Sequence, residues 1–224
     1  DPGLLFGPRE MRLYPNGTLA AHVLGGASFG NEGVDSAEVI GTAGLEKFMD
    51  ARLRDPAQAG TPLVTSIDLT VQAAVEEVLS AGITMMNAKG GAAILMDVNT
   101  GEIVAMAAGP TFDPNDRPNN PTSGDPSDSV LFNRAVQGIY ELGSTFKIFA
   151  AAQAIDLGLL TPETMVDANA PMFWGKHKIK EFENHNYGPL LSVSDVIAKS
   201  SNVGTAHIAL MIGGDRQQAF FKAM

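Results

Sequence analysis

Ser144-Thr145-Phe146-Lys147 follows Gly143 directly and heads an apolar run that ends near Leu157. If that run is helical, a hydroxyl and an amine three residues apart share one face, and the Lys147 amine reaches Ser144 Oγ without any long-range arrangement of the chain. Serine is a weak nucleophile until a neighbour takes its proton, and lysine can take it only when neutral. Burial against Phe146, Ile148 and Phe149, or a nearby second cation, would lower the lysine pKa towards working pH. Gly143 permits a tight turn into the helix, whose first amides favour negative charge on Oγ and on a tetrahedral oxyanion. The same spacing also occurs as a solvated pair on ordinary helices, so the tetrapeptide needs a second element.

That element is Ser200-Ser201-Asn202. Ser192 with Asp195 makes a capping box for a helix whose apolar face is Val193, Val196 and Ile197, and a further helix is predicted from Val203 to Met211. The polar cluster thus falls in a short break between two helices. Residues two apart in such a break can point the same way, placing Ser200 Oγ and the Asn202 amide on one cleft wall. Read alone, the same residues are helix caps.

Together the two clusters resemble the penicillin-binding proteins, the serine D,D-transpeptidases and their β-lactamase relatives, whose signature pairs Ser-x-x-Lys with Ser-x-Asn and then Lys-Thr-Gly. Asn133-Arg134-Ala135-Val136, Gly143-Ser144-Thr145-Phe146-Lys147 and Ser200-Ser201-Asn202-Val203-Gly204 look like class B members, and the last is similar to the cell-division type. Upstream, Arg12-Leu13-Tyr14-Pro15 with Gly17, His22-Val23-Leu24-Gly25 and Gly44-Leu45-Glu46 look like that family's non-catalytic pedestal. The likeness covers nearly the whole chain. It implies an α+β fold with a pedestal segment over residues 1–64. Residues 65–224 would then be the N-terminal part of a transpeptidase domain, its helical part and the first strands of an antiparallel sheet.

The resemblance also implies roles. Ser144 would attack the carbonyl of the penultimate D-alanine of a peptidoglycan stem peptide, expelling the terminal D-alanine and leaving an acyl-enzyme. Lys147 would take the serine proton, Ser200 would relay a proton to the leaving amine, and Asn202 would bond the substrate's peptide amide while holding Lys147. An amine from a neighbouring stem peptide would accept the acyl chain, and penicillins would acylate Ser144 by the same route. No cofactor is needed. Two departures stand out. Glu141-Leu142-Gly143 lacks the family's usual proline, which removes a rigid φ but no reacting group. No Lys-Thr-Gly follows Asn202, and Lys89-Gly90-Gly91 lies upstream, in the wrong order. The resemblance therefore implies a chain truncated before the third motif, and residues 1–224 alone are expected to acylate slowly or not at all.

Composition sets limits. Of 224 residues, 45% are hydrophobic and 18% charged, as in globular proteins, and the formal charge of −10 argues against nucleic-acid binding. No apolar run approaches the ~18 residues that cross a bilayer, and Asp1-Pro2-Gly3 is unlike a signal peptide. Family members carry an N-terminal membrane anchor, so the resemblance places the protein at the bacterial inner membrane, on its periplasmic or extracellular face, with the anchor outside this chain. Zero cysteines exclude disulfides and thiolate metal sites.

The elements that must position the site read as follows. Gly44 to Leu53 is a helix, and Asp55-Pro56 to Thr61-Pro62 is a linker. Leu63 to Ile67 is a short strand, after which Asp68 or Thr70 caps a helix with Val71, Val75, Val78 and Leu79 in the core. Gly91–Asp97 and Glu102–Ala108 form a hairpin turned at Val98-Asn99-Thr100-Gly101. Pro110 to Ser129 is an exposed loop with Phe112 as its local anchor. Thr161-Pro162-Glu163 starts another helix, and Asp167 to Tyr187 is a loop. Two or three strands are expected in the catalytic half.

Other readings compete. Gly26-Ala27-Ser28-Phe29-Gly30 matches an α/β-hydrolase nucleophile elbow, but Asn31-Glu32-Gly33 continues a loop where a helix is required. His177 and His185, with Glu181 or Glu183 between them, match no familiar ligand spacing, so no metal is expected. His22 and His207 read as core or boundary residues. A β-lactamase-like hydrolase would use the same acylating groups plus a positioned water. A binding module would use only the pedestal, docking a membrane glycosyltransferase or other division proteins.

Overall fold

The computed structural model describes residues 11–29 and 39–224. Asp1-Pro2-Gly3, Gly30 and Asn31-Glu32-Gly33 lie outside the described residues. Packing divides the chain into two compact units, Asp1–Ile139 and Tyr140–Met224.

In the first unit, α1 (Ala21–Leu24), β1 (Gly26–Phe29), β2 (Val39–Ala43), α2 (Gly44–Phe48) and α3 (Asp50–Leu53) precede α4 (Leu69–Met85), β3 (Gly91–Met96) and β4 (Ile103–Gly109). Strand β1 pairs antiparallel with β2, and Ser28 sits opposite Ile40 in that ladder, not on a strand-to-helix turn. The predicted helix from Gly44 to Leu53 breaks at Met49 (φ −100°, ψ 11°). There the Asp50 carboxylate accepts the Gly41 N–H at 2.8 Å, and a new turn starts. Leu63 to Ile67 forms no strand. Instead Ser66 Oγ donates to Ile103 O at 2.7 Å and Asp68 N–H to Val104 O at 3.0 Å, which ties the segment beside β4.

Asp68 caps α4, its Oδ1 accepting the Thr70 and Val71 N–H groups at 2.8 and 3.0 Å. The face that α4 buries differs from the one the apolar residues suggest. Gln72 is fully buried, whereas Val78 is 73% exposed and Val71, Val75 and Leu79 are half-buried. The Gln72 amide donates to Met106 O and accepts from Met106 N–H, both at 2.8 Å, and so serves β4 as a strand neighbour would. A buried amide whose donor and acceptor are both matched costs little, and Gln72 therefore displaces valine from the contact. In the β3–β4 hairpin Gly91 faces Gly109. A Cβ at Gly109 would meet Ile83 Cδ1 at 2.6 Å, so glycine is what lets α4 approach there.

From Pro110 to Ser129 two short 3-10 turns, Pro114–Asp116 and Pro126–Asp128, are capped by Asp113 and Asp125. Phe112 is buried, with its ring edge-on to His22 at 5.2 Å. The Asn133-Arg134 motif is structural: Asn133 Nδ2 donates to His22 O at 3.3 Å, and Arg134 donates to Ser127 O at 2.5 Å. Arg12 and Tyr14 both bond the Glu46 carboxylate, at 3.1 and 3.2 Å, which links two of the upstream motifs.

The second unit contains α5 (Lys147–Asp156), β5 (Met165–Asp167), β6 (Met172–Trp174), β7 (His177–Ile179), β8 (Leu190–Ser192), α6 (Val193–Ala198), α7 (Asn202–Ile212) and α8 (Gly214–Ala223). Its core gathers Ala151, Ala154, Val166, Leu191, Val196, Ile208 and Ile212. Strand β5 pairs antiparallel with β8, placing Val166 opposite Leu191. Ser192 Oγ accepts the Asp195 N–H at 3.1 Å, as the capping-box reading requires. No helix starts at Thr161. The Pro162 carbonyl accepts both the Ser194 N–H (3.0 Å) and the Ser194 hydroxyl (3.1 Å), and Thr164 Oγ1 takes the Thr161 N–H at 2.9 Å, closing a turn instead.

The segment read as a loop from Asp167 to Tyr187 carries an antiparallel β6–β7 hairpin, Trp174 opposite His177, turned through Gly175. Among the described residues the catalytic half thus has six short strands, all in two-stranded ladders, where two or three strands were expected. Three-residue strands are too short to display an alternation.

Candidate active site

All four candidate residues lie in the second unit. Gly143 has φ +56°, a left-handed conformation natural to glycine, and opens a 3-10 turn, Gly143–Phe146, that runs directly into α5. Ser144 is therefore on a 3-10 turn and not on the α-helix itself. The Lys147 N–H bonds back to Ser144 O in the three-residue pattern. With three residues per turn, positions i and i+3 eclipse, which aligns Ser144 with Lys147 more closely than an α-helix does. Phe146 stacks on Phe221 of α8 at 4.9 Å and meets Phe149 at 5.4 Å, which pins the turn. Ser144 is exposed, and among the described residues its hydroxyl makes no hydrogen bond to another group.

Lys147 Nζ makes three contacts. It donates to Ser200 O at 2.5 Å, to Ser200 Oγ at 3.0 Å and to Asn202 Oδ1 at 2.6 Å. The structure thus brings Lys147, Ser200 and Asn202 to one point, across 53 and 55 residues of chain. An ammonium has three protons and no lone pair, so these acceptors satisfy it fully. On losing a proton the amine keeps its contact with Ser200 Oγ, because a hydroxyl can donate as well as accept.

The α6–α7 break is shaped for this. Ser200 has φ +55°, which a β-carbon disfavours by about 1 kcal/mol, and this twist turns both its carbonyl and its hydroxyl onto the same amine. Ser201 is buried and caps α7, its Oγ accepting the Gly204 N–H at 2.9 Å. Asn202 Nδ2 donates to Lys180 O at 2.7 Å, which fixes the amide orientation and leaves its second N–H available.

Burial lowers the Lys147 pKa, and the Glu181 carboxylate opposes the shift. Burial acts as expected, and the alternative cause needs correction. Phe146 and Ile148 are about half exposed, and the charge that bears on the amine is an anion, not a second cation. Glu181, considered from sequence only as a metal ligand, is buried and bonds the start of α7, with its Oε1 accepting from Ser201 Oγ and its Oε2 from Asn202 N–H, both at 2.7 Å. His185 contacts Tyr187 through Nδ1 at 3.4 Å. Among the described residues no three histidine, aspartate or glutamate side chains converge as a metal site would require. The arrangement offers a partly buried amine that meets a second hydroxyl and an oriented amide, while Ser144, three residues away and exposed, makes no hydrogen bond to that amine.

The family described as the penicillin binding protein transpeptidase domain matches residues 91–224, and the one described as the penicillin-binding protein dimerisation domain matches residues 1–65. The chain is similar to the "Probable peptidoglycan D,D-transpeptidase FtsI" of Caulobacter vibrioides, 36% identical over 98% of this chain and 35% of that protein. It is also similar to the peptidoglycan D,D-transpeptidase FtsI of Escherichia coli K12, 30% identical over 93% of this chain and 36% of that protein. Among solved structures, Pseudomonas aeruginosa PBP2 in complex with WCK 5153 superimposes with a TM-score of 0.76 at 25% identity, over 97% of this chain and 51% of that one. The D,D-transpeptidase domain of a peptidoglycan glycosyltransferase from Eggerthella lenta gives 0.73 at 26% identity, over 95% and 47%. The chain spans little more than a third of the length of these two curated relatives. No helix among the described residues is long and apolar enough to cross a membrane.

Proposed function

The chain belongs to the penicillin-binding protein transpeptidase family, and on that premise we propose that it takes part in a peptidoglycan D,D-transpeptidase reaction through Ser144. The observation that carries this reading is the convergence of Ser200 and Asn202 on the Lys147 amine, three residues from a serine whose hydroxyl has no partner among the described residues. Neutral Lys147 accepts the Ser144 proton as Oγ bonds to the carbonyl carbon of the penultimate D-alanine. The negative charge that develops on the carbonyl oxygen collapses to expel the terminal D-alanine, whose nitrogen takes a proton relayed by Ser200 from Lys147. The Asn202 amide bonds the substrate peptide with its remaining N–H. A second stem peptide's amine then attacks the ester and regenerates Ser144. A β-lactam enters the same sequence as a cyclic amide and stops at the ester.

In this reading residues 1–64 are a pedestal and residues 65–224 the start of the catalytic domain, a division that the two family matches support. The partners are stem peptides ending in D-Ala-D-Ala, β-lactams and, through the pedestal, a membrane glycosyltransferase and division proteins. The site is on the outer face of the bacterial inner membrane.

The test is to give the full gene product a stem pentapeptide and an amino acceptor, then to measure released D-alanine and cross-linked product. Both are expected in equal amounts. Folded protein that releases no D-alanine would overturn the reading, and rapid turnover of a penicillin would replace it with that of a β-lactamase.

A further inference from the structure

We propose that Glu181 is a positioning residue for this reaction, carrying the Ser200–Asn202 segment onto the Lys147 amine while setting a negative charge near that amine. The inference rests on the reading above. Glu181 is only 4% exposed. Its Oε1 accepts from Ser201 Oγ at 2.7 Å and from Val203 N–H at 3.1 Å, and its Oε2 accepts from Asn202 N–H at 2.7 Å. Three successive residues at the start of α7 thus point donors at one carboxylate, where the first amides of a helix lack partners of their own.

Capping alone does not require this. Ser201 Oγ already caps α7 by accepting the Gly204 N–H. The contact that exceeds capping is the one to Asn202. Glu181 holds its backbone, the neighbouring Lys180 carbonyl holds its Nδ2 at 2.7 Å, and Oδ1 is left directed at Lys147. Ser200, one residue before the anchored segment, is thereby kept in its left-handed conformation with its carbonyl and hydroxyl on the same amine.

The charges around Lys147 give Glu181 a second effect. From the α6–α7 break, Ser200 and Asn202 face the amine and are neutral. Lys199, beside them, is paired with Asp195 at 3.3 Å. From the segment before the break come Lys180, which presents its carbonyl to Asn202, and Glu181. Among the described residues, Glu181 is the charge that bears on the Lys147 equilibrium, favouring the ammonium while burial favours the neutral amine. Removing the charge therefore lowers the Lys147 pKa further and moves the acid limb of acylation to lower pH. Removing the anchor lowers the plateau rate. The two effects oppose each other at acidic pH, a pattern that a merely structural residue does not produce.

The experiment compares the wild-type full gene product with E181Q. Lys147 is titrated by NMR of 15N/13C-labelled lysine, and penicillin acylation is followed by mass spectrometry across pH. Expected for E181Q are a Lys147 midpoint below the wild-type value and a plateau rate reduced about 10-fold to 100-fold, the scale of a misplaced catalytic group. E181D, which retains the charge, should keep its midpoint nearer to wild type. A folded E181Q whose Lys147 midpoint equals that of wild type overturns the proposal. If E181Q does not fold, E181D decides: it shortens the anchor and keeps the charge, so the plateau rate must fall while the Lys147 midpoint stays near wild type, and a wild-type plateau rate overturns the proposal. The NMR readouts need no enzymatic turnover, so loss of the transpeptidase reading and loss of this one are separate outcomes.

Discussion

S144A is expected to yield no penicillin adduct, a loss of about 10⁵-fold or more in acylation, the scale seen when a covalent nucleophile is removed. The prediction is sharp because Ser144 carries little structure. It is exposed, its hydroxyl has no partner among the described residues, and the turn that holds it is set by Gly143 and by the Phe146–Phe221 stack. Alanine should leave the thermal unfolding midpoint nearly unchanged, so any loss of labelling is chemical. The measurement is intact mass of the full gene product after prolonged incubation with a penicillin, beside a thermal melt. An adduct on S144A as abundant as on the wild type would remove Ser144 from the mechanism, and an adduct mapped to Ser28 would revive the hydrolase reading.

K147M should slow acylation by about 10³-fold or more, the range associated with losing a general base. Methionine has a similar length and apolar stem but can neither accept the Ser144 proton nor donate to Ser200 and Asn202. The variant leaves the Ser200 carbonyl and Asn202 Oδ1 without their shared donor, and each unmatched polar group costs about 1–3 kcal/mol where it is buried. Some loss of stability should therefore accompany the loss of rate. K147R offers the contrast: it can keep hydrogen bonds to the same acceptors, but a guanidinium does not give up its proton. Stability recovering in K147R without recovery of rate would separate the two roles of the lysine. Wild-type acylation in either variant would contradict them.

The parts of the site that were legible in the sequence are those in which neighbours in the chain are neighbours in space. Ser144 and Lys147 share one turn. Asp68 and Ser192 cap their own helices, and Gly101, at φ +76°, turns its own hairpin. That Ser200 and Asn202 should sit together was also readable, since a single residue separates them. What reaches across the fold was not. Glu181 acts on residues 20 to 22 positions downstream, and no local pattern marks a glutamate that caps a distant helix. Gln72 misled the reading of α4, because polar residues matched to a strand edge can be buried in preference to valine. Thr161-Pro162-Glu163 has the chemistry of a helix start, but Ser194 claims the Pro162 carbonyl. The three-residue strands of the β6–β7 hairpin are shorter than the run of about four residues over which an alternation shows.

In the proposed mechanism, acylation through Ser144 depends on an amine that is neutral at working pH. Burial holds Lys147 below the ordinary lysine value of 10.5. A general base works only above its own pKa, so acylation should rise with pH through that lowered value and then level off. The direct test is to titrate the labelled Lys147 amine by NMR and to overlay the pH dependence of penicillin acylation by the same protein. Coincident midpoints, both below 10.5, are the predicted result. An amine that titrates as an ordinary lysine while acylation has already levelled off near neutral pH would contradict the role given to Lys147.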